Sequence, residues 1–109
     1  MTINWEEIPE QAMRNFKGGD GITWVKMYSD GQNRLLMARI LPGSSIGEHT
    51  HETNSEILHV LSGTARIIMD GQIEYVQAGQ THYCPKGHTH MIEPFGMAEL
   101  RFLAVVPEQ

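Results

Sequence analysis

The chain reads as an all-β protein of the sandwich or barrel class. Short runs rich in apolar and β-branched residues recur at close, regular spacing, most are parted by glycine-containing turns, and no stretch sustains the apolar period of a long helix. From the N-terminus, residues 5–13 allow one short helical turn, broken at Pro9, and Lys17-Gly18-Gly19-Asp20-Gly21 is a loop. Residues 22–29 form a strand, Asp30-Gly31-Gln32-Asn33 a turn, and residues 34–41 a second strand that ends at Pro42-Gly43. Further strands are expected at 55–61, 64–69, 72–76, 81–84, 88–92 and 98–106, with Asp70-Gly71 as a hairpin turn. No repeat, low-complexity tract or linker divides the chain. We therefore expect one domain over residues 1–109, with an N-terminal arm at 1–21 and the barrel at 22–106.

Composition narrows the function classes. At 109 residues the chain suffices for one hydrophobic core. Its formal net charge is -5 and no lysine or arginine cluster is present, which argues against a nucleic-acid partner. No apolar run is long enough to span a bilayer, so no membrane partner is expected. The start, Met1-Thr2-Ile3-Asn4-Trp5-Glu6-Glu7, is acidic rather than a basic segment leading into an apolar one, and we expect a cytoplasmic protein. The single cysteine, Cys84, allows no internal disulfide and fits a reducing compartment.

Four residues stand out as metal ligands: His49, His51, Glu56 and His90. In a strand, residues two apart share a face, so His49-Thr50-His51 delivers two imidazoles into one volume. Glu56 heads the apolar run Ile57-Leu58-His59-Val60-Leu61, where a carboxylate is costly to bury unless a cation receives it. His90 follows the turn Pro85-Lys86-Gly87 and begins a strand able to close the site from the opposite sheet. A lone His-x-His is more often solvated or hydrogen-bonded, and a lone glutamate at a strand start is usually surface. The four together favour a metal.

The spacing around these residues is specific. Gly43, five residues, His49-Thr50-His51, four residues, Glu56, six residues and Gly63 form one pattern; Gly79, five residues, Pro85-Lys86-Gly87, two residues and His90 form a second. Together they resemble the two motifs of the cupin superfamily, closely over residues 43–94 and more loosely in the flanking strands. Pro94 stands where the second motif often ends in asparagine, which leaves the ligand positions untouched. The resemblance implies a small double-stranded β-helix, a jelly-roll barrel with the metal inside its mouth. It also implies one divalent transition metal per chain, drawn from Mn, Fe, Ni, Co or Zn, and a homodimer.

Other residues carry two readings. His88, two before His90, either shares the metal-facing side, as a proton shuttle, alternative ligand or substrate partner, or is a hydrogen-bonded turn histidine. His82 and Cys84 share one face, which would bring a thiol to the pocket, although a buried, inert cysteine is the commoner outcome. His59 falls opposite Glu56, outside the site. Met37, Met69 and Met91 are either core filling or the wall of a pocket for a partly apolar molecule. If Glu56 points inward, Ile57 and Leu61 form an apolar outer row, covered either by residues 22–41 or by a second subunit.

Three neutral imidazoles and a carboxylate leave coordination positions open for a small oxygen-rich substrate. The resulting expectation is a metal-dependent enzyme of the non-haem dioxygenase or oxidoreductase kind, with His88 moving protons. The alternatives are a non-catalytic, metal-assisted binding or sensing protein and a sugar isomerase.

Overall fold

A computed structural model describes residues 1–109. Its strands are β1 (Gln11–Arg14), β2 (Ile22–Ser29), β3 (Asn33–Ile40), β4 (Ile46–Thr50), β5 (Glu56–Ser62), β6 (Thr64–Met69), β7 (Gln72–Gln77), β8 (Thr81–Cys84), β9 (Thr89–Pro94) and β10 (Leu100–Pro107). They pair into a six-stranded sheet, β1-β2-β3-β10-β5-β8, and a four-stranded sheet, β4-β9-β6-β7. Every pairing is antiparallel, and the two sheets enclose one core in jelly-roll form.

The core follows from strand alternation. On β10, Leu100, Phe102, Ala104 and Val106 are buried, while Arg101 is exposed and Leu103 and Val105 only partly covered. On β5, Glu56, Leu58 and Val60 point inward with them. Ala65, Ile67 and Ile92 answer from the other sheet. The hairpin expected at Asp70-Gly71 joins β6 to β7, both residues taking the positive φ that a two-residue turn requires (51° and 81°).

Two strands differ from the sequence expectation. Within residues 5–13 only Trp5–Glu7 winds into a 3₁₀ turn; past Pro9 the chain extends as β1 and pairs with β2, Gln11 opposite Val25. Arg39 ties this segment down through Glu10 at 2.7 Å. β4 is the other addition, and it is irregular: its register against β9 shifts between Ile46 and His49. Residues 22–41 extend the sheet that contains β5 and do not lie over it. Ile57 and Leu61 consequently stay 41% and 46% exposed.

One close backbone approach decides where the N-terminal loop sits. Gly19 and Gly47 face each other so closely that a Cβ on either would overlap backbone, Ser45 O in one case and Lys17 O in the other. The contact seats Phe16 and Lys17 against β4, where both wall the interior cavity beside His49. Gly47→Ala is therefore expected to destabilise the fold by roughly 1–3 kcal/mol, the usual penalty of forcing atoms into filled space, read as a lower urea midpoint.

Candidate metal centre

Each ligand position is set by a different local device. The bulge in β4 rephases the strand, so Ile46 and His49, an odd number of residues apart, both line the interior. His51 lies just past the end of β4, pinned through its backbone: its N–H donates to His88 O at 3.0 Å and its carbonyl accepts from Gly87 N at 2.7 Å. Glu56 opens β5 in the six-stranded sheet. His90, on β9, sits directly opposite His49 in the four-stranded sheet and is fully buried.

The four side chains meet. One ligand atom from each of His49, His51, Glu56 and His90 lies within 4.8 Å of the other three. The three rings form a near-equilateral triangle, with centroids 4.7–4.9 Å apart. His51 Nε2 and His90 Nε2 are 3.0 Å apart, and each is 3.1 Å from the same oxygen, Glu56 Oε1.

The opposite ring nitrogens explain the orientation. His49 Nδ1–H donates to Gly47 O at 2.8 Å, and His51 Nδ1–H donates to Asn54 Oδ1 at 2.6 Å. Asn54 is in turn fixed by donating Nδ2–H to Glu108 Oε1 at 3.1 Å. His90 Nδ1 lies 3.0 Å from His82 Nε2. With every Nδ1 engaged outward, three Nε2 lone pairs and a carboxylate oxygen converge on one point. Four acceptors without a donor repel one another; a divalent cation at their centre removes that repulsion. The donor set of three imidazoles and one carboxylate thus fits a divalent transition metal.

The electrostatics agree. Burial alone would raise the Glu56 carboxyl, but the imidazoles of His51 and His90 beside its oxygen outweigh it and hold it at about 2. The bond to Glu56 raises His51, against the opposing effect of burial, with Asn54 adding to the rise. A proton on His51 and a metal would compete for the same place beside Glu56. His49 is pushed down to about 4 by burial, against its bond to Gly47, and is neutral at physiological pH.

His49, His51 and Glu56 border a cavity of about 240 Å³ between the sheets. Val25, Leu36, Ala38, Ile92, Phe102 and Ala104 form apolar walls. Lys17, Arg34 and Glu52 are its other ionisable groups. Arg39, Arg66 and Arg101 are all held by glutamates, whereas neither Lys17 nor Arg34 forms an ion pair. Thr23 Oγ1, on the same wall, is fully buried and lacks a hydrogen-bond partner.

Other sequence candidates lie elsewhere. His88 is not on the cavity wall: its ring faces Asp70 Oδ2 at 2.5 Å, and only its backbone carbonyl serves the site, by anchoring His51. Cys84 is buried off the cavity, and burial, with nearby carboxylates adding, pushes its thiol up to about 11, the state of an unreactive thiol. None of Met37, Met69 and Met91 lines the cavity, and Met37 lies on the outer face of β3. His59 faces away, its ring bonded to Thr81. Sequence reasoning missed Asn54 and Glu74, and it did not connect His82 to His90. No motif position flags them: Asn54 caps His51 from three residues away in an irregular segment, and the Glu74 and His82 contacts arise only where the strands come together.

Two measurements check the site. His51→Ala removes one ligand and is expected to abolish near-stoichiometric metal content measured by elemental analysis. Lowering pH through the imidazole range protonates His51 first, because its affinity for protons is raised, so metal affinity is expected to fall with acidification in a titration calorimeter. In the metal-free protein His49 acts in the same direction. Its depressed value means the unfolded chain takes up the proton first, so its contribution to stability is full above 6.5 and is lost as pH falls toward about 4.

Comparison with known proteins closes the description. The cupin domain family matches residues 36–106. No curated protein sequence matches the chain. Among solved structures, a predicted oxalate decarboxylase from Thermotoga maritima is 29% identical, with 100% of both chains covered and a TM-score of 0.92. A sugar phosphate isomerase of the cupin superfamily from Silicibacter pomeroyi is 19% identical, with 100% of this chain and 76% of that one covered and a TM-score of 0.83. The polyketide cyclase RemF from Streptomyces resistomycificus is 23% identical, with 98% and 78% covered and a TM-score of 0.79. With the motif residues gathered at one point inside a jelly roll and the family matching most of its length, the chain belongs to the cupin domain family.

Proposed function

We propose that the protein is a divalent-metal-dependent enzyme of the non-haem oxidoreductase kind, acting on a small, oxygen-rich acid. The observation that carries the reading is the convergence of three Nε2 lone pairs and the Glu56 carboxylate at the edge of an apolar cavity. A metal held there supplies Lewis acidity toward adjacent substrate oxygens or, if it is iron, oxygen activation. The chain's own residues do the rest. His49, His51, Glu56 and His90 hold the metal, and the apolar walls exclude water. Lys17 and Arg34, with no carboxylate partners of their own, favour an anionic ligand, and the unpartnered Thr23 hydroxyl suits a ligand hydroxyl or carboxylate oxygen. The cavity is below the ~300–1,000 Å³ typical of drug-sized ligands, which favours a small metabolite. The similarity to the predicted oxalate decarboxylase from Thermotoga maritima supports a small carboxylate as the substrate class.

A second reading, metal-assisted binding without turnover, rests on one observation. Beyond the ligands, the cavity wall has no ionisable group except Lys17, Arg34 and Glu52. The Fe²⁺- and Mn²⁺-loaded protein, assayed with oxalate and small 2-oxo and 2-hydroxy acids, separates the two: product supports the enzyme, whereas saturable thermal stabilisation without product supports the binding protein. Arg34→Gln is expected to weaken acid binding roughly 10–150-fold, in line with the ~1.5–3 kcal/mol carried by a hydrogen bond to a charged group, while leaving metal content unchanged.

The homodimer belongs to the same proposal. In strand register Leu35, Val105, Ile57 and Tyr83 form one row across the outer face of β3, β10, β5 and β8, an apolar surface suited to a second copy. Ile57→Glu is expected to convert a dimer to a monomer in size-exclusion chromatography with light scattering. A wild-type monomer at the same concentration would remove the proposal.

A further inference from the structure

His90 is the most deeply buried ligand, and its back nitrogen contacts neither backbone nor water-facing groups. Its Nδ1 meets His82 Nε2 at 3.0 Å, and His82 Nδ1 meets Glu74 Oε1 at 2.5 Å. The two rings are inclined by only 23° with centroids 5.2 Å apart, the edge-to-edge arrangement of an in-plane hydrogen bond. The His82 side chain is 1% exposed, whereas that of Glu74 is 42% exposed. Glu74 belongs to β7 of the four-stranded sheet and His82 to β8 of the six-stranded one, so the contact bridges both layers beneath the metal centre.

The chemistry of these groups gives the chain a direction. An ionised carboxylate only accepts, so His82 Nδ1 carries the proton. As a metal ligand His90 must keep its Nε2 lone pair, so its ring proton sits on Nδ1 and His82 Nε2 is the acceptor. That lone pair faces Glu56 and the other two rings.

We propose that Glu74, outside both motifs, and His82, at one of the unspecified positions of the second, are positioning residues for the metal: they hold His90 in its Nδ1–H form and lend it the carboxylate's charge through the intervening ring. The inference rests on the metal-centre reading above. A ligand imidazole that donates its far N–H to a carboxylate becomes more basic and rotationally fixed, and loss of such a partner typically weakens metal binding 10–100-fold. Here the carboxylate acts at one remove. Glu74 thereby lets a residue half-open to solvent influence a ligand that is fully buried.

The test uses Co²⁺ with the wild type, Glu74→Gln, His82→Gln and His82→Leu. Affinity is measured by competition with a chromophoric chelator, the visible absorption of the Co²⁺ protein is recorded, and the His90 tautomer is read by long-range ¹H–¹⁵N correlation in the metal-free protein. Glu74→Gln keeps the surface side chain and a hydrogen-bond acceptor but removes the charge. It is expected to bind Co²⁺ about tenfold more weakly, with shifted absorption bands and an unchanged metal-free melting temperature. His82→Leu is expected to bind more weakly still and to lose the Nδ1–H preference of His90. His82→Gln, whose amide oxygen can accept from His90, is expected to restore that preference and part of the affinity, which separates positioning from packing. Wild-type affinity and spectra in both Glu74→Gln and His82→Leu would overturn this inference and leave the metal centre standing. A wild type that binds no Co²⁺ would overturn the metal centre itself, and this inference with it.

Discussion

A buried carboxylate among imidazoles is the constraint from which the rest of the structure can be understood. Glu56 is only 7% exposed at the head of an otherwise apolar strand, and no lysine or arginine reaches it. Its ionised form persists because two imidazoles share one of its oxygens. Those rings are themselves turned inward by hydrogen bonds to their outer nitrogens. Loss of any one outer partner frees a ring to turn and leaves a buried charge uncompensated, which is among the costlier faults a protein interior can carry.

The fold meets this constraint by dividing it between two layers. The six-stranded sheet contributes Glu56, the four-stranded sheet contributes His49 and His90, and the segment after β4 contributes His51. A site assembled this way exists only when the sheets are closed on each other, so hydrophobic closure of the jelly roll also gathers the four candidate ligands. The same closure surrounds the centre with aliphatic walls, where each remaining charge and dipole acts with little solvent screening. Glu74, itself half-open to solvent, reaches His90 through the buried ring of His82.

Strand alternation was legible wherever one face is buried. β2, β6 and β8 match the sequence reading end to end, and Leu58, Val60, Phe102 and Ala104 face inward as the alternation requires. β4 escaped because Gly47, Glu48, His49 and Thr50 carry no apolar pattern; its positions are occupied by a close-packed glycine and by site residues. β1 escaped because Pro9 obscured a strand held by its pairing with β2 and by the Glu10–Arg39 ion pair. His88 shows the reverse failure. Parity with His90 suggested a shared face, but His88 lies in the turn before β9, where alternation does not apply, and Asp70 from the neighbouring hairpin takes its ring.

The sequence by itself determined the fold class, the family and the four residues that gather at the centre, because period-two alternation and motif spacing are local properties that survive without coordinates. Only the tertiary structure decided how those residues are aimed. The β4 bulge that turns His49 inward, the Gly19–Gly47 contact that sets the cavity wall, and the Asn54 and Glu74–His82 partners behind the ligand rings all depend on how the folded chain places its side chains. Hydrogen-bond direction and burial are properties of neighbours in space, and those neighbours come together only when the two sheets close.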